Sequence, residues 1–285
     1  MHLFRLILIS GWLALLFPAT VQAQDKPAAK PLTFGLMPYL STRSLLGIYQ
    51  PIANRLEQEL KQPVQMLTAP DFDTFVKRVV DGDYDIVLLA PHYARLAIRD
   101  YGYTPILVHK APIRGVLVTA KAQPLANLGE LRGQSIAVVE RSAVMAINGA
   151  LSLAEAGLHE NTDYHFLESV SHSSALHSAV AGKARAAIIS YSTLILAPQD
   201  LQREATIVRE LPSIPGMFYL GHNRLPAARL AEIKQALLGF ERTAEGQTFF
   251  EKTSHAGFRE PTRSDAELLD RMLPETRRLL GAILR

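Results

Sequence analysis

The chain has no cysteine among its 285 residues. It therefore forms no disulfide, and it cannot carry the lipid-modified cysteine that tethers many exported bacterial proteins. Buried apolar side chains must hold the fold together, and hydrophobic residues make up 48% of the sequence. That share is ample for a core, and the length allows one large domain or two smaller ones.

An excess of charge of one sign is also lacking. Lysine and arginine number 30 against 27 aspartate and glutamate residues, which gives a formal net charge of +3. The sequence has no run of basic residues and no basic residues interleaved with aromatic ones. Nucleic-acid binding depends on such positive surfaces, so nucleic acid is excluded as an expected partner.

Motifs of catalysis and of metal binding are missing as well. The chain contains no G-x-S-x-G, no P-loop, no G-x-G-x-x-G and no H-E-x-x-H. Its nine histidines form no pair at ligand spacing, since His172 and His177 lie five residues apart. The alternating Asp81, Asp83 and Asp85 are typical of a turn that enters a buried strand. We therefore expect a protein that is not an enzyme and that holds neither metal nor cofactor.

The first residues, MHLFRLILISGWLALLFPATVQA, have the pattern of a secretory signal peptide. Arg5 precedes an apolar run that ends at Phe17, and Val21-Gln22-Ala23 is a small-x-small cleavage pattern. A membrane anchor is the alternative, but the run of about 12 residues is shorter than the roughly 20 that span a bilayer. We expect residues 1–23 to be cleaved, residues 24–31 to form a polar linker, and the mature chain to be soluble in the periplasm.

The remaining chain alternates short apolar runs with amphipathic stretches at helical spacing. Pro51 is expected to kink the first helix or to start a second one. The pattern predicts strands at 32–37, 64–68, 85–90, 105–109, 114–119, 136–139, 163–166, 186–189, 207–211 and 218–221. It predicts helices at 42–61, 71–81, 142–156, 173–181, 226–240, 244–252 and 264–284, and a further helix that starts at 94.

Such alternation is typical of an α/β fold with doubly wound sheets. We predict two α/β domains, with lobe 1 formed by 32–120 and 215–285 and lobe 2 by 121–214. Two crossing segments, near 119–124 and 210–218, would join the lobes. Ligands of open α/β sheets bind at the carboxyl ends of the strands, so the cleft between the lobes is the expected ligand site.

Five predicted strand-to-helix junctions carry an unusual number of hydroxyl and ring side chains. Each precedes a helix N-terminus, where free N–H groups and the helix dipole favour an anion. Plain structural roles remain open for each residue: helix capping for serine and threonine, packing for tyrosine and histidine, and solvation for arginine. The candidate ligand-binding residues are Tyr39, Ser41, Thr42, His92, Tyr93, Arg141, Ser142, His172, Ser173, Ser190 and Tyr191.

Four segments carry a resemblance to a known family: GLMPYLSTRSLLGIYQPIANRLEQEL, VVDGDYDIVLLAPHYARLA, LGELRGQSIAVVE and HSAVAGKARAAIISYSTL. From about Leu32 to Phe258 the chain resembles the periplasmic substrate-binding proteins of phosphate, phosphite and phosphonate ABC transporters. The resemblance implies a type II periplasmic-binding-protein fold, a monomer, a small anionic ligand captured by lobe closure, and delivery to a membrane permease. It also implies that Pro91-His92-Tyr93 lines the ligand cleft and that Tyr39 faces the ligand.

The chain departs from this family at the anion loop of the second lobe. A Ser-Thr-Ser-Gly-like loop is replaced by RSAVMA, residues 141–146, which keeps one hydroxyl and no glycine. Acidic positions near a later strand are Arg185 and Ser190 here, which weakens the expectation of an amino-phosphonate ligand. Two alternatives follow: either Arg141 restores anion binding by direct charge pairing, or the ligand is another compound with an anionic end. A ligand-sensing module for a membrane sensor kinase is the alternative function, since it would use the same fold.

Overall fold

The computed structural model describes residues 30–283, so the predicted signal peptide and most of the predicted linker lie outside the described residues. No helix within this range is long and apolar enough to cross a bilayer. The strands are β1 (Leu32–Leu36), β2 (Val64–Leu67), β3 (Ile86–Leu89), β4 (Tyr103–His109), β5 (Gly115–Ala120), β6 (Gln134–Val138), β7 (Tyr164–Glu168), β8 (Ala186–Ser190), β9 (Ala205–Glu210), β10 (Phe218–His222) and β11 (Phe258–Arg259).

Helices lie in every stretch predicted to be helical, whereas the two short helices at Tyr191–Leu196 and Gln199–Arg203 were not predicted; a short 3-10 helix at Leu128–Leu131 precedes β6. They are α1 (Thr42–Leu60), α2 (Phe72–Val80), α3 (Pro91–Asp100), α4 (Val144–Ala154), α5 (His172–Val180), α6 (Tyr191–Leu196), α7 (Gln199–Arg203), α8 (Ala227–Glu241), α9 (Ala244–Thr253), α10 (Arg263–Asp270) and α11 (Leu273–Ile283).

Two separate sheets confirm the predicted two-lobed α/β fold. The first sheet has the strand order β11-β4-β10-β3-β1-β2, and the second has the order β7-β6-β8-β5-β9. Strands β1, β2 and β3 pair in parallel, whereas β10 inserts antiparallel between β3 and β4. The strand at 218–222 therefore returns to the first lobe, as the sequence predicted.

The lobe boundary differs from the predicted one at β5. This strand was assigned to lobe 1, but it pairs with β8 and β9 in the second sheet. All six of its residues are buried, so its apolar sequence fits the centre of either sheet and does not identify the lobe. The crossing segments of the structure are consequently residues 110–114 and 211–217, and the first lies before the predicted 119–124.

The two crossing segments run side by side and form the hinge between the lobes. Ile113 and Ile214 exchange backbone hydrogen bonds of 2.9 and 3.1 Å. Gly216 allows this close approach, because a Cβ atom there would lie 2.7 Å from the carbonyl oxygens of both His109 and Ala111. The hinge thus depends on a position without a side chain.

Helix boundaries decide between two alternatives at Pro51 and bring two further corrections. Helix α1 runs through Pro51, so no second helix starts there and only the kink remains of the two predictions. Helix α3 begins at Pro91 rather than at Ala94, since proline suits the first helical position, where its missing N–H costs nothing. The predicted C-terminal helix 264–284 is two helices, α10 and α11, and the break between them lets Met272 enter the core.

The C-terminal helices contact both lobes. Helices α10 and α11 pack against α3 of lobe 1. From α11, Glu275 pairs with Arg141 of lobe 2, and from the turn before it Arg271 lies 3.4 Å from Glu155 at the end of α4. The C-terminal helices therefore link the two lobes, beside the loop before α4 that carries Arg141.

Candidate ligand-binding site

A cavity of about 460 Å³ lies between the lobes, beyond the carboxyl ends of β1, β3, β6, β7 and β8. All five predicted strand-to-helix junctions contribute to its wall, and both crossing segments close it at the hinge. Lobe 1 supplies Met37, Pro38, Tyr39, Phe72, Ala90, His92 and Tyr93; lobe 2 supplies Val139, Ser142, Ala143, Val144, Met145, Val170, Ser171, His172 and Ser190; the hinge supplies Ile113 and Met217.

His92 reaches across the cleft from the first turn of α3. Its Nε2 atom lies 3.1 Å from the backbone carbonyl oxygen of Ser142, to which the neutral ring donates an N–H. Complete burial lowers the pKa of His92 to about 3, so the ring is uncharged at neutral pH. Its Nδ1 atom is buried and has no hydrogen-bond partner among the described residues, which leaves an acceptor for a ligand.

Tyr93 stands next to His92, with ring centroids 4.0 Å apart. Its hydroxyl lies near the Ser142 side chain, but within residues 30–283 it makes no hydrogen bond of normal geometry. Burial raises the pKa of Tyr93, so the phenol keeps its proton and remains a donor. A ligand in the cavity would find an unused O–H group here.

Ser142 faces the cavity from the loop before α4, and its hydroxyl donates to a carboxylate oxygen of Glu140 at 2.7 Å. Burial raises the pKa of Glu140, and the nearby carboxylates of Asp73 and Glu168 raise it further. Helix α4 begins at Val144 instead of the predicted position 142, and no side chain caps its first turn. The first N–H groups of α4 therefore donate to no capping side chain, and free N–H groups at a helix N-terminus stabilise an anion.

Capping explains several of the other candidates. Ser41 accepts from the Ser44 N–H as the cap of α1 and is exposed, while Thr42 is exposed beside it. Neither residue lines the cavity. Ser190 caps α6 through the Thr193 N–H at 3.3 Å and also lines the cavity.

The remaining ring and hydroxyl candidates divide between the cavity and its surroundings. His172, the first residue of α5, lines the cavity; burial lowers its pKa, and its Nδ1 is without a partner in the described part of the chain. Ser173 is exposed and does not line it. Tyr191 lies nearer the hinge, beneath the guanidinium of Arg114 at 4.2 Å. Tyr39 lines the cavity, and its hydroxyl lies 2.8 Å from that of Tyr49.

Arg141 does not reach the cavity, which corrects the expectation of a direct contact with the anion. Its guanidinium pairs with Glu160 at 2.7 Å and with Glu275, and it lies over the ring of Phe166. Two carboxylates thus neutralise the charge on the outer side of the loop. Among the residues that line the cavity, none is a lysine or an arginine.

The family model of the periplasmic substrate-binding protein of phosphonate ABC transporters matches residues 34–266. The chain belongs to this family. Its members are the ligand-binding component of a transporter rather than enzymes, and membership places the protein in the periplasm with a small ligand and a membrane permease as partners. No curated protein matches the chain.

Solved structures with the same fold include members of two functional classes. The chain is similar to XAC2383 from Xanthomonas citri bound to ATP, with TM-score 0.77 and 14% identity over 90% of this chain and 100% of that one. It is similar to PhnD1 from Prochlorococcus marinus in complex with methylphosphonate, with TM-score 0.71 and 13% identity over 87% and 98%. A histidine kinase sensor domain matches with TM-score 0.55 and 15% identity over 82% and 99%.

Sequence reasoning missed the apolar part of this phosphonate-family site. Phe72 lies within the stretch predicted as the helix 71–81, and Met37 is the last residue of the predicted strand 32–37. Met145 lay within a predicted helix, and Ile113 and Met217 belong to the crossing segments. Only the position of Met37 at a strand end pointed to the cleft; the other residues reach the cavity through the relative placement of the lobes.

Proposed function

We propose that the protein captures a small oxyanion of the phosphonate class by closure of its lobes and delivers it to its permease. The observation that carries the proposal is the uncapped N-terminus of α4, which opens on a cavity opposite the unused O–H donor of Tyr93. The unused Nδ1 of His92 is an acceptor and suits a P–OH group of a monoanion. The family and the complex of PhnD1 with methylphosphonate support this ligand class.

Uncharged hydrogen-bond donors would stabilise the bound anion. Since no lysine or arginine lines the cavity, backbone N–H groups of α4, the helix dipole and hydroxyl donors take that role. We propose Tyr39, His92, Tyr93, Ser142, His172 and Ser190 as the ligand contacts. Lobe 1 supplies His92 and Tyr93 and lobe 2 supplies Ser142, so a ligand that contacts all three favours the closed arrangement.

The proposal includes the form of the protein in the cell. Cleavage after Ala23 would leave a soluble chain, and the absence of cysteine excludes a lipid anchor on a cysteine. We propose that this soluble form acts as a monomer that contacts its permease.

A sensory module is the second candidate, and the likeness to a histidine kinase sensor domain favours it. That likeness shows the fold alone, whereas the family assigns the chain to a transporter. Stimulation of the ATPase activity of the reconstituted transporter by the ligand-loaded protein would support transport. Stimulation of kinase autophosphorylation instead would support sensing.

Calorimetry on the mature protein tests the proposed ligand class. The protein is unfolded and refolded to remove carried-over ligand, then titrated with methylphosphonate, phosphite, phosphate, sulfate and acetate. We expect micromolar binding of a phosphorus oxyanion and a stabilisation of about 2.7 kcal/mol at a hundredfold excess over its Kd. The Ser41→Ala variant removes an exposed helix cap outside the cavity, so it should bind the same oxyanion with unchanged affinity and serves as the control. Failure of every phosphorus oxyanion to bind would overturn the proposal.

A further inference from the structure

A second cavity, of about 400 Å³, lies at the hinge next to the cleft cavity. The two cavities share four wall residues, which are Tyr39, Ile113, Ser190 and Met217. We call this space the hinge cavity. Because the shared residues form its boundary with the cleft, a ligand anchored in the cleft can extend into it.

Two histidines in the wall of the hinge cavity carry unused polar atoms. The rings of His109 and His255 stack with centroids 3.9 Å apart and planes 14° apart. His109 is 1% exposed, and its Nε2 lies 3.3 Å from the hydroxyl of Tyr219. Its Nδ1 and the Nε2 of His255 are buried without a partner in the part of the chain that the structure describes. Buried polar atoms are normally hydrogen-bonded, so these nitrogens indicate a polar ligand atom.

Three flat side chains, those of Tyr39, Arg114 and Tyr191, also lie in the wall of the hinge cavity. The ring of Tyr191 lies beneath the Arg114 guanidinium, whose charge is partly offset by Glu210 at 3.2 Å. Tyr39 stands at the boundary with the cleft. Planar surfaces of this kind favour a planar group, since aromatic rings prefer stacked or edge contacts with one another.

The cleft cavity is itself larger and more apolar than a tetrahedral oxyanion requires. Its volume of about 460 Å³ falls in the range of pockets that bury drug-sized ligands. Met37, Met145, Met217 and Phe72 form its apolar wall. Methionine adapts to irregular apolar groups, so this wall suits an organic substituent on the anion.

We propose that the ligand is an elongated organic phosphorus oxyanion whose planar, hydrogen-bonding end occupies the hinge cavity. The inference rests on the proposed function for the position of the anion at α4. The substituent passes Met217 and Tyr39, and its distal polar atom meets His109 and His255. A phosphonate and a phosphate ester share this chemistry, so both are included in the test.

The test compares dissociation constants of the refolded protein for four probes. These are methylphosphonate, benzylphosphonate, 4-hydroxybenzylphosphonate and the isosteric ester 4-hydroxyphenyl phosphate. We expect at least one of the two hydroxylated probes to bind at least tenfold more tightly than methylphosphonate, with benzylphosphonate between them. The lower Kd of the two hydroxylated probes shows whether the protein prefers a phosphonate or a phosphate ester.

Two variants assign this gain to the hinge cavity. His255→Phe keeps an aromatic ring in the stack but removes the ring nitrogens, and Ser192→Trp places an indole in the hinge cavity from an exposed position on α6. We expect each to lower the ratio of the methylphosphonate Kd to the hydroxylated-probe Kd by about tenfold. Unchanged thermal unfolding of the variants would show that the fold is retained.

The outcomes separate this inference from the proposed function. If methylphosphonate binds and neither hydroxylated probe binds more tightly, the inference is overturned and the proposed function stands. An unchanged ratio in both variants also overturns it. If none of the four probes binds, the proposed function and the inference fail together.

Discussion

The Nε2 atom of His92 lies 3.1 Å from the carbonyl oxygen of Ser142, and this buried contact joins lobe 1 to lobe 2 at the wall of the cleft cavity. The two residues thus connect the helix that follows β3 with the loop that precedes α4. In the arrangement described, the lobes already touch beside the proposed anion position. The same two residues that we propose as ligand contacts also hold the lobes together.

Acid is expected to destabilise the protein through its buried neutral histidines. Burial lowers the pKa of His92 to about 3 and that of His109 well below its usual value, whereas an unfolded histidine titrates near 6.5. Below pH 6.5 the unfolded state therefore binds more protons, and the free energy of unfolding falls as pH falls. Each residue contributes a slope of up to about 1.4 kcal/mol per pH unit.

Urea denaturation between pH 7.5 and pH 5 measures this slope. The His92→Phe variant removes one of the buried histidines with a lowered pKa and should show a shallower dependence on pH. A free energy of unfolding that stays constant over this range would contradict the neutral, buried state of these rings.

Replacing Arg141 should cost stability rather than affinity. Arg141→Gln leaves the partly buried carboxylate of Glu160 without its cation and leaves Glu275 with Arg278 alone, and we expect a loss of about 3 kcal/mol in the free energy of unfolding. Arg278→Gln is the matched control, because Arg278 also pairs with Glu275 but is mostly exposed. It should cost less than about 0.5 kcal/mol. A tenfold loss of ligand affinity with unchanged stability would restore Arg141 as the anion contact.

Removing the Tyr93 hydroxyl should weaken ligand binding without destabilising the free protein. The hydroxyl is buried and without a partner among residues 30–283, so Tyr93→Phe removes no hydrogen bond of the unliganded fold. We expect about a tenfold higher Kd for the bound oxyanion, equivalent to about 1.4 kcal/mol. Tyr164→Phe is the control, since its hydroxyl is also buried and unpartnered but lies outside the cavity. Equal Kd values for the two variants would remove Tyr93 from the site.

The hinge should not tolerate a side chain at position 216. In Gly216→Ala the new Cβ atom would meet two backbone carbonyl oxygens at 2.7 Å, which cannot move without separating the crossing segments. We expect a loss of at least about 2 kcal/mol, as for other overpacked sites. Gly47→Ala lies in open space on the exposed face of α1 and should gain about 0.5–1 kcal/mol. Chemical denaturation of both variants checks the contrast; equal stabilities would show that the hinge can relax.

Some parts of the site could be predicted from the sequence because they depend on local order. The carboxyl ends of parallel strands meet at one edge of a sheet, so the junctions Met37-Pro38-Tyr39 after β1 and Pro91-His92-Tyr93 after β3 were expected to converge once the strand-helix alternation was recognised. The sheet of β5 was not predictable, because an apolar strand fits either sheet. The partner of Arg141 was not predictable either, since Glu275 lies far along the chain in a helix that reaches across the lobes.

The position of β10 has a consequence for the order in which the chain can fold. Phe218 pairs with Leu89 on one side and with Val108 on the other, so the first sheet lacks an interior strand until residues 218–222 are available. The second sheet is drawn from the continuous stretch 115–210 and needs no later segment. During synthesis from the N-terminus, the second lobe can therefore complete its sheet first. Completion of the first lobe must wait for a pairing of long sequence separation, which is typical of slow folding steps.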